Sequence, residues 1–197
     1  MDTLHITKKE TARELWDTIK FIIISALIVI PIRMFVFQPF IVSGESMYPT
    51  FHDADYLIVD EISYRFKQPE RGDVVVFKYP NDPSRFFIKR IIGLPGETIV
   101  FKDRSVFIKN NEQSRSTKLD EPYLSQITIP GEKKEVIVTE GHYFVMGDNR
   151  GYSSDSRAWG LLPKENITGT AKVRLLPFKN VSFNPGSINK FETLTQE

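Results

Sequence analysis

The sequence predicts a mostly β protein, an antiparallel sheet domain behind one N-terminal apolar helix, with a small lobe inserted into the sheet. Three observations carry this. From Tyr56 onward short β-branched and aromatic runs follow one another: YLIVDEI, DVVVFKY, FFIKRIIGL, TIVFK, SVFIK, EVIVTE, HYFVMG and AKVRLLPF. Turn formers separate them, among them Arg71-Gly72-Asp73, Tyr79-Pro80-Asn81-Asp82-Pro83, Leu94-Pro95-Gly96 and Pro130-Gly131. No helical periodicity interrupts the series, so roughly eight to ten antiparallel strands are expected. Ahead of them, Phe21 to Ile32 reads FIIISALIVIPI without a charge.

That apolar run is too short alone, because a helix crossing a ~30 Å hydrocarbon core needs about 20 residues. Trp16 to Phe37 supplies the length if Lys20 and Arg33 snorkel toward opposite faces. Lys8, Lys9, Arg13 and Lys20 precede the run and no Lys or Arg occurs from Met34 to Ser63, which sets the N-terminus in the cytoplasm and everything after about Phe40 outside. A cleaved secretory signal and a buried core helix compete with a retained anchor. The first lacks a small-X-small cleavage site in the FVFQPFIV that follows. The resulting division is a cytoplasmic segment 1–17, an anchor 18–38, an extracytoplasmic β domain 39–180 with a lobe inserted at about 104–140, and a polar tail 181–197. The lobe is read from Lys109 to Glu135, rich in Asn, Gln, Ser, Lys and Glu, a composition typical of solvated surface.

Composition narrows the function. With 26 Lys+Arg against 25 Asp+Glu the formal net charge is +1, which supplies no field for nucleic acid. The chain has no cysteine, so disulfides, zinc-thiolate sites and a Cys nucleophile are excluded. A Ser-His-Asp triad has only His52 and His142 available outside, His5 falling on the cytoplasmic side, and neither adjoins a turn suited to catalysis. The GDNRGYSSDS stretch lacks the spacing and distal Glu of a calcium loop.

Four segments place reactive or special-geometry residues at the ends of predicted strands: VSGESMYPT (42–50), RGDVVVFKYP (71–80), FFIKRIIGLPGE (86–97) and MGDNRGYSSDSRAWG (146–160). Ser46 follows Gly44 and precedes Pro49, a composition for a sharp turn with exposed amides, which is what an acyl-transfer nucleophile and its oxyanion donor require. Such a loop is equally an ordinary Ser/Gly/Pro turn. Alternation sends Phe87, Lys89 and Ile91 to one face of their strand and Phe86, Ile88, Arg90 and Ile92 to the other. Lys89 is therefore either a snorkelling surface residue, the commoner case, or a desolvated amine able to act as a base.

The four segments, in this order behind an apolar N-terminal stretch, resemble those of type I signal peptidases, membrane-bound Ser/Lys proteases that remove signal peptides from exported proteins. The resemblance runs from about Thr18 to Phe178, outside the polar insertion. It implies that Ser46 is the nucleophile with its own backbone N–H as oxyanion donor, and that Lys89 is the general base. It implies further that the Ser153 hydroxyl orients the lysine amine, that Asp155 and Arg157 form a supporting pair, and that Asp148, Asn149 and Arg150 make the preceding turn. Where the enterobacterial pattern has a serine two residues before the nucleophile this chain has Gly44, as in the Gram-positive form, so Ser43 has no assured part in the oxyanion hole. Shallow pockets lined by Val42, Met47, Phe87 and Ile88 are expected to admit small side chains one and three residues before the cut. No metal or cofactor is expected; the expected partners are signal-peptide-bearing preproteins and the lipid bilayer, with no nucleic acid, for a monomer. A self-cleaving protease of the SOS-repressor type requires a helix-turn-helix where the FIIISALIVI run stands. A tethered binding module requires Ser46 and Lys89 to be dispensable.

Overall fold

The structure is a computed structural model and describes residues 8–35, 37–110, 116–125, 134–188 and 193–194. His5, the Pro130-Gly131 turn and parts of the expected lobe and tail lie outside the described residues. Helix α1 (Lys8–Phe35) starts well inside the segment expected to precede the anchor, because KKETAREL is composed of good helix formers. It ends ahead of Gln38-Pro39, where the residue before proline is driven out of the helical region and β1 (Phe37–Ile41) begins. Among the described residues no helix is long and apolar enough to cross a membrane. Within 13–29, where its side chains are described, α1 exposes Trp16, Phe21, Ile22, Ile23, Ile24, Leu27 and Ile28.

Thirteen strands lie among the described residues, against eight to ten expected; after β1 come β2 (Tyr56–Asp60), β3 (Val74–Tyr79), β4 (Asp82–Gly93), β5 (Glu97–Lys102), β6 (Ser105–Asn110), β7 (Ser116–Leu119), β8 (Lys134–Ile137), β9 (His142–Met146), β10 (Leu162–Pro163), β11 (Ile167–Leu176), β12 (Ser182–Phe183) and β13 (Thr193–Leu194). Two one-turn helices interrupt them, α2 (Ser63–Phe66) and α3 (Ser156–Trp159). The strands form two antiparallel sheets. The larger has the order β1-β2-β11-β3-β4-β9-β10 with β12 on β11, and the smaller the order β13-β7-β6-β5-β8. The expected lobe is thus a sheet in its own right. It starts at β5, earlier than about 104, and recruits β13 from the tail expected to be only polar. The earlier start follows from the Leu94-Pro95-Gly96 turn: Gly96 takes φ +81 and Glu97 accepts from the Leu94 N–H at 2.8 Å, so β5 leaves β4 in a new direction.

Three apolar clusters hold these layers. Ile92, Ile99, Phe101, Val106, Ile108, Phe144 and Met146 join the small sheet to the large one. Val75, Phe77, Ile91, Tyr143, Val145 and Leu162 fill the centre of the large sheet. Val42, Met47, Phe51, Leu57 and Val74 pack beneath the turn that follows β1.

Charged groups are buried among them, Arg90 the largest of those buried completely. The Arg90 guanidinium, with no exposed side-chain surface, donates bidentately to Asp148 at 2.8 and 2.6 Å and to the carbonyls of Gly72 at 2.9 Å and Gly186 at 2.6 Å. It ties β4 to three separate loops, so each depends on the others. Removing one partner leaves the other charge buried alone. Arg90→Met is expected to cost about 3–5 kcal/mol, read by urea unfolding, whereas the double variant Arg90→Met/Asp148→Leu is expected to recover a large part of the loss.

Candidate active site

The turn after β1 carries Ser46. Gly44 adopts φ +86, a conformation that disfavours side chains, and its N–H donates to Asp53 at 2.7 Å. The Phe51 N–H donates to the Met47 carbonyl at 3.0 Å, so immediately after the serine the chain coils inward and drives Met47 and Phe51 into the core. Met47 does not line the cleft beside Ser46, contrary to the expectation from sequence: it packs inward with Val42, Phe51 and Leu57.

Lys89 lies on β4, where pairing with Val75 on β3 fixes its height in the sheet. It is 3% exposed, which settles the sequence ambiguity in favour of a desolvated amine. Its Nζ donates to Ser46 Oγ at 2.6 Å and to its neighbouring Ile88 carbonyl at 2.8 Å, and lies 5.5 Å from the Phe87 ring centroid. Burial pushes the Lys89 amine down to about 8, against the opposing pull of the Asp155 and Asp148 charges.

Those carboxylates are not free to act at full strength. Asp148 is neutralised by Arg90 and also accepts from Thr50 Oγ1 at 2.5 Å. Asp155 accepts from Arg157 Nε and from one Arg157 terminal nitrogen, both at 2.8 Å, and from the Gly147 N–H at 3.0 Å. Burial alone raises the pKa of Asp155, but the Arg157 hydrogen bonds and charge outweigh it and hold the carboxyl below its ordinary range. Arg150 is likewise buried, donating to Glu121 and, at 3.1 Å, to the Gly147 carbonyl.

Ser153 behaves differently from the role the resemblance implies. Its Oγ is buried, has no well-formed hydrogen bond and makes only a weak polar contact that favours the Asp155 anion; the second bond of the Lys89 amine goes to the Ile88 carbonyl instead. His52 packs edge-on against Tyr48 and His142 bonds within its own turn, so neither is engaged with Ser46.

Ser46 and Lys89 open onto a cleft of about 460 Å³. Val42, Phe87 and Ile88 line it. Phe40, Leu57, Val76, Arg85 and Phe86 line it too, as do Ser43 and Ser154. The sequence signal for Phe40 and Phe86 was present, since period-two alternation sets Phe40 with Val42 and Phe86 with Ile88. What it could not show is that β1 and β4 face each other across the cleft, where the Phe40 and Phe86 rings meet at 5.2 Å. Gly147, a further neighbour of the serine, went unread, and Asn149, expected in the turn before Ser153, reaches the serine turn itself. Gly147 passes so close that a Cβ there would lie 2.4 Å from the Ser46 carbonyl and 2.2 Å from Ser153 Oγ. Asn149 bonds the turn itself, its N–H to the Ser46 carbonyl at 3.1 Å and its Nδ2 to the Glu45 carbonyl at 3.0 Å.

Signal peptidase I T of Bacillus subtilis (strain 168) is 38% identical over 192 residues, covering 91% of this chain and 94% of the relative. Signal peptidase I of Bacillus licheniformis is 37% identical over 177 residues, covering 85% and 91% respectively. A crystal structure of a signal peptidase I from Enterococcus faecalis V583 is 31% identical and covers 54% of this chain and 98% of its own, with a TM-score of 0.45. The description "Signal peptidase, peptidase S26" matches residues 15–176, and the chain belongs to this family of peptidases.

Proposed function

We propose that this protein is a membrane-tethered endopeptidase that removes N-terminal signal peptides from preproteins, with Ser46 as nucleophile and Lys89 as general base. The observation that carries the reading is the 2.6 Å approach of a 3%-exposed lysine amine to a serine hydroxyl at the wall of an apolar cleft.

In the neutral amine the direction of that hydrogen bond reverses, so that Ser46 Oγ–H donates to the Nζ lone pair. As Oγ forms its bond to the scissile carbonyl carbon, the proton passes to Lys89, and the carbonyl π pair moves onto oxygen, which the Ser46 N–H receives. Collapse of this intermediate breaks the C–N bond. The lysinium returns its proton to the leaving amine, and water delivered through the same base then hydrolyses the ester. No step calls on a metal or cofactor.

Val42, Ile88, Leu57 and Val76 support small apolar side chains at the substrate positions one and three residues before the cut, the Ala-X-Ala pattern. A peptide lying extended beside β4 would add as a strand. The tether reading rests on sequence and on α1: its exposed side chains are apolar on all sides between 21 and 29, which suits a lipid surround better than water, and the basic residues ahead of it point the N-terminus inward.

Cleavage of a precursor with an Ala-X-Ala site by the purified full chain is expected to fall by about three orders of magnitude or more in Ser46→Ala and in Lys89→Ala; wild-type rates in both would overturn the assignment. Because the protonated amine is inactive, kcat/KM should rise about tenfold per pH unit below pH ~8 and level off above it.

Stability also rises with pH, but over a higher window. The folded amine titrates at about 8 and the unfolded one near 10.5, so the penalty for burying it is fully present below the folded value and lost as pH rises past the unfolded one. Lys89→Met should therefore be more stable than wild type by up to ~3 kcal/mol at pH 7, with the gap closing toward pH 11 in paired urea titrations.

A further inference from the structure

We propose that Asn149 is the positioning residue of the oxyanion hole, the group that aims the Ser46 N–H by holding both peptide planes that flank the nucleophile. The inference rests on the reading of Ser46 as nucleophile with its own amide as donor, and it concerns how that amide is held in place.

A trans peptide is planar, so the carbonyl and the N–H of one peptide unit point in opposite directions. The unit that carries the Ser46 N–H also carries the Glu45 carbonyl. That carbonyl accepts from Asn149 Nδ2 at 3.0 Å and from the Tyr48 N–H at 3.1 Å. Fixing the oxygen fixes the plane, and the plane fixes the opposite N–H. The following unit is held as well, because the Asn149 backbone N–H donates to the Ser46 carbonyl at 3.1 Å. One residue therefore grips the chain on both sides of the Ser46 Cα, and rotation of either unit breaks a hydrogen bond.

The grip is only as useful as its mount. Asn149 follows Asp148, whose carboxylate is locked to the fully buried Arg90, and its own carbonyl accepts from the Tyr152 N–H at 3.0 Å. Gly147 on the other side is close enough to the Ser46 carbonyl that no side chain fits between them. The Asn149 side chain also polarises the Glu45–Ser46 peptide, since a donor on the carbonyl strengthens hydrogen bonding by the N–H of the same unit. An asparagine suits this place because its amide supplies a donor without charge. Aspartate, of the same shape, would face the Glu45 carbonyl with an acceptor.

Asn149→Ala and Asn149→Asp both delete the Nδ2 donor and leave the backbone bond to Ser46, so the turn stays attached. With the purified full chain, kcat on an Ala-X-Ala precursor is expected to fall between about 10- and 100-fold, on the scale of a misaimed oxyanion donor, with KM within about twofold. Two probes separate aiming from general damage. A peptide aldehyde ending in Ala-X-Ala adds Ser46 Oγ to its carbonyl carbon and develops the oxyanion, so its affinity should fall by the same factor as kcat; the matching peptide amide, which forms no adduct, should bind unchanged. The pH midpoint of activity should also stay in place. Wild-type kcat in both variants, an equal loss for aldehyde and amide, or a moved midpoint would each overturn the proposal. If Ser46→Ala retains wild-type cleavage, the nucleophile reading falls and this one with it. If Ser46→Ala is inactive while Asn149→Ala is unaffected, this inference alone falls.

Discussion

The site is built around one buried amine, that of Lys89. A lysine in water is a cation and can accept no proton; within β4, between the Phe87 ring and the Ser46 turn, burial pushes the amine down to about 8. The cost is that two aspartates stand close enough to draw it back toward the charged form. The fold answers with two arginines. Arg90 closes a bidentate pair on Asp148 and Arg157 does so on Asp155, so each carboxylate spends its charge on a guanidinium that cannot be deprotonated. Asp155 also accepts from the Gly147 N–H and Asp148 from the Thr50 hydroxyl, while the charge of both still favours the protonated lysine.

The same economy explains why much of the site is backbone. The loop after β9 brings Gly147, Asp148 and Asn149 against the Ser46 turn. Gly147 lets the two chains touch, Asp148 anchors the loop to Arg90, and Asn149 bonds the carbonyls on both sides of the serine. A serine on a free loop would have to be ordered each time a ligand bound; one clamped by a second loop is ordered during folding, when sheet pairing and the apolar clusters offset the entropy.

Much of the architecture was legible because alternation and turn chemistry are local. Runs such as DVVVFKY and HYFVMG, bounded by Gly, Pro and Asp, became β3 and β9 nearly as read. The inserted lobe was harder. Its composition is that of a solvated excursion, yet β5 to β8 and β13 pair into a sheet because Ile99, Phe101, Val106 and Ile108 find Phe144 and Met146 on the large sheet, partners distant in sequence. Helix α1 outran the segment 18–38 at its start because the charged residues before it favour helix as much as the apolar ones do. Met47 was misplaced for a related reason: a methionine beside a candidate nucleophile suits a pocket wall and a core equally, and only the inward coil from Met47 to Phe51 decides.

By itself the sequence determined which residue types were available and in what order: no cysteine, no histidine in a suitable turn, a serine in a sharp bend, a lysine in an apolar strand, and a Gly-Asp-Asn-Arg turn. Those are properties of neighbours along the chain. Tertiary structure decided that Ser46 and Lys89, 43 residues apart, come within 2.6 Å, that the lysine is buried and not snorkelling, and that Asn149 reaches back to the serine turn. Hydration and distance across a cleft are set by packing between remote strands, and a buried and an exposed lysine leave the same alternating pattern behind them.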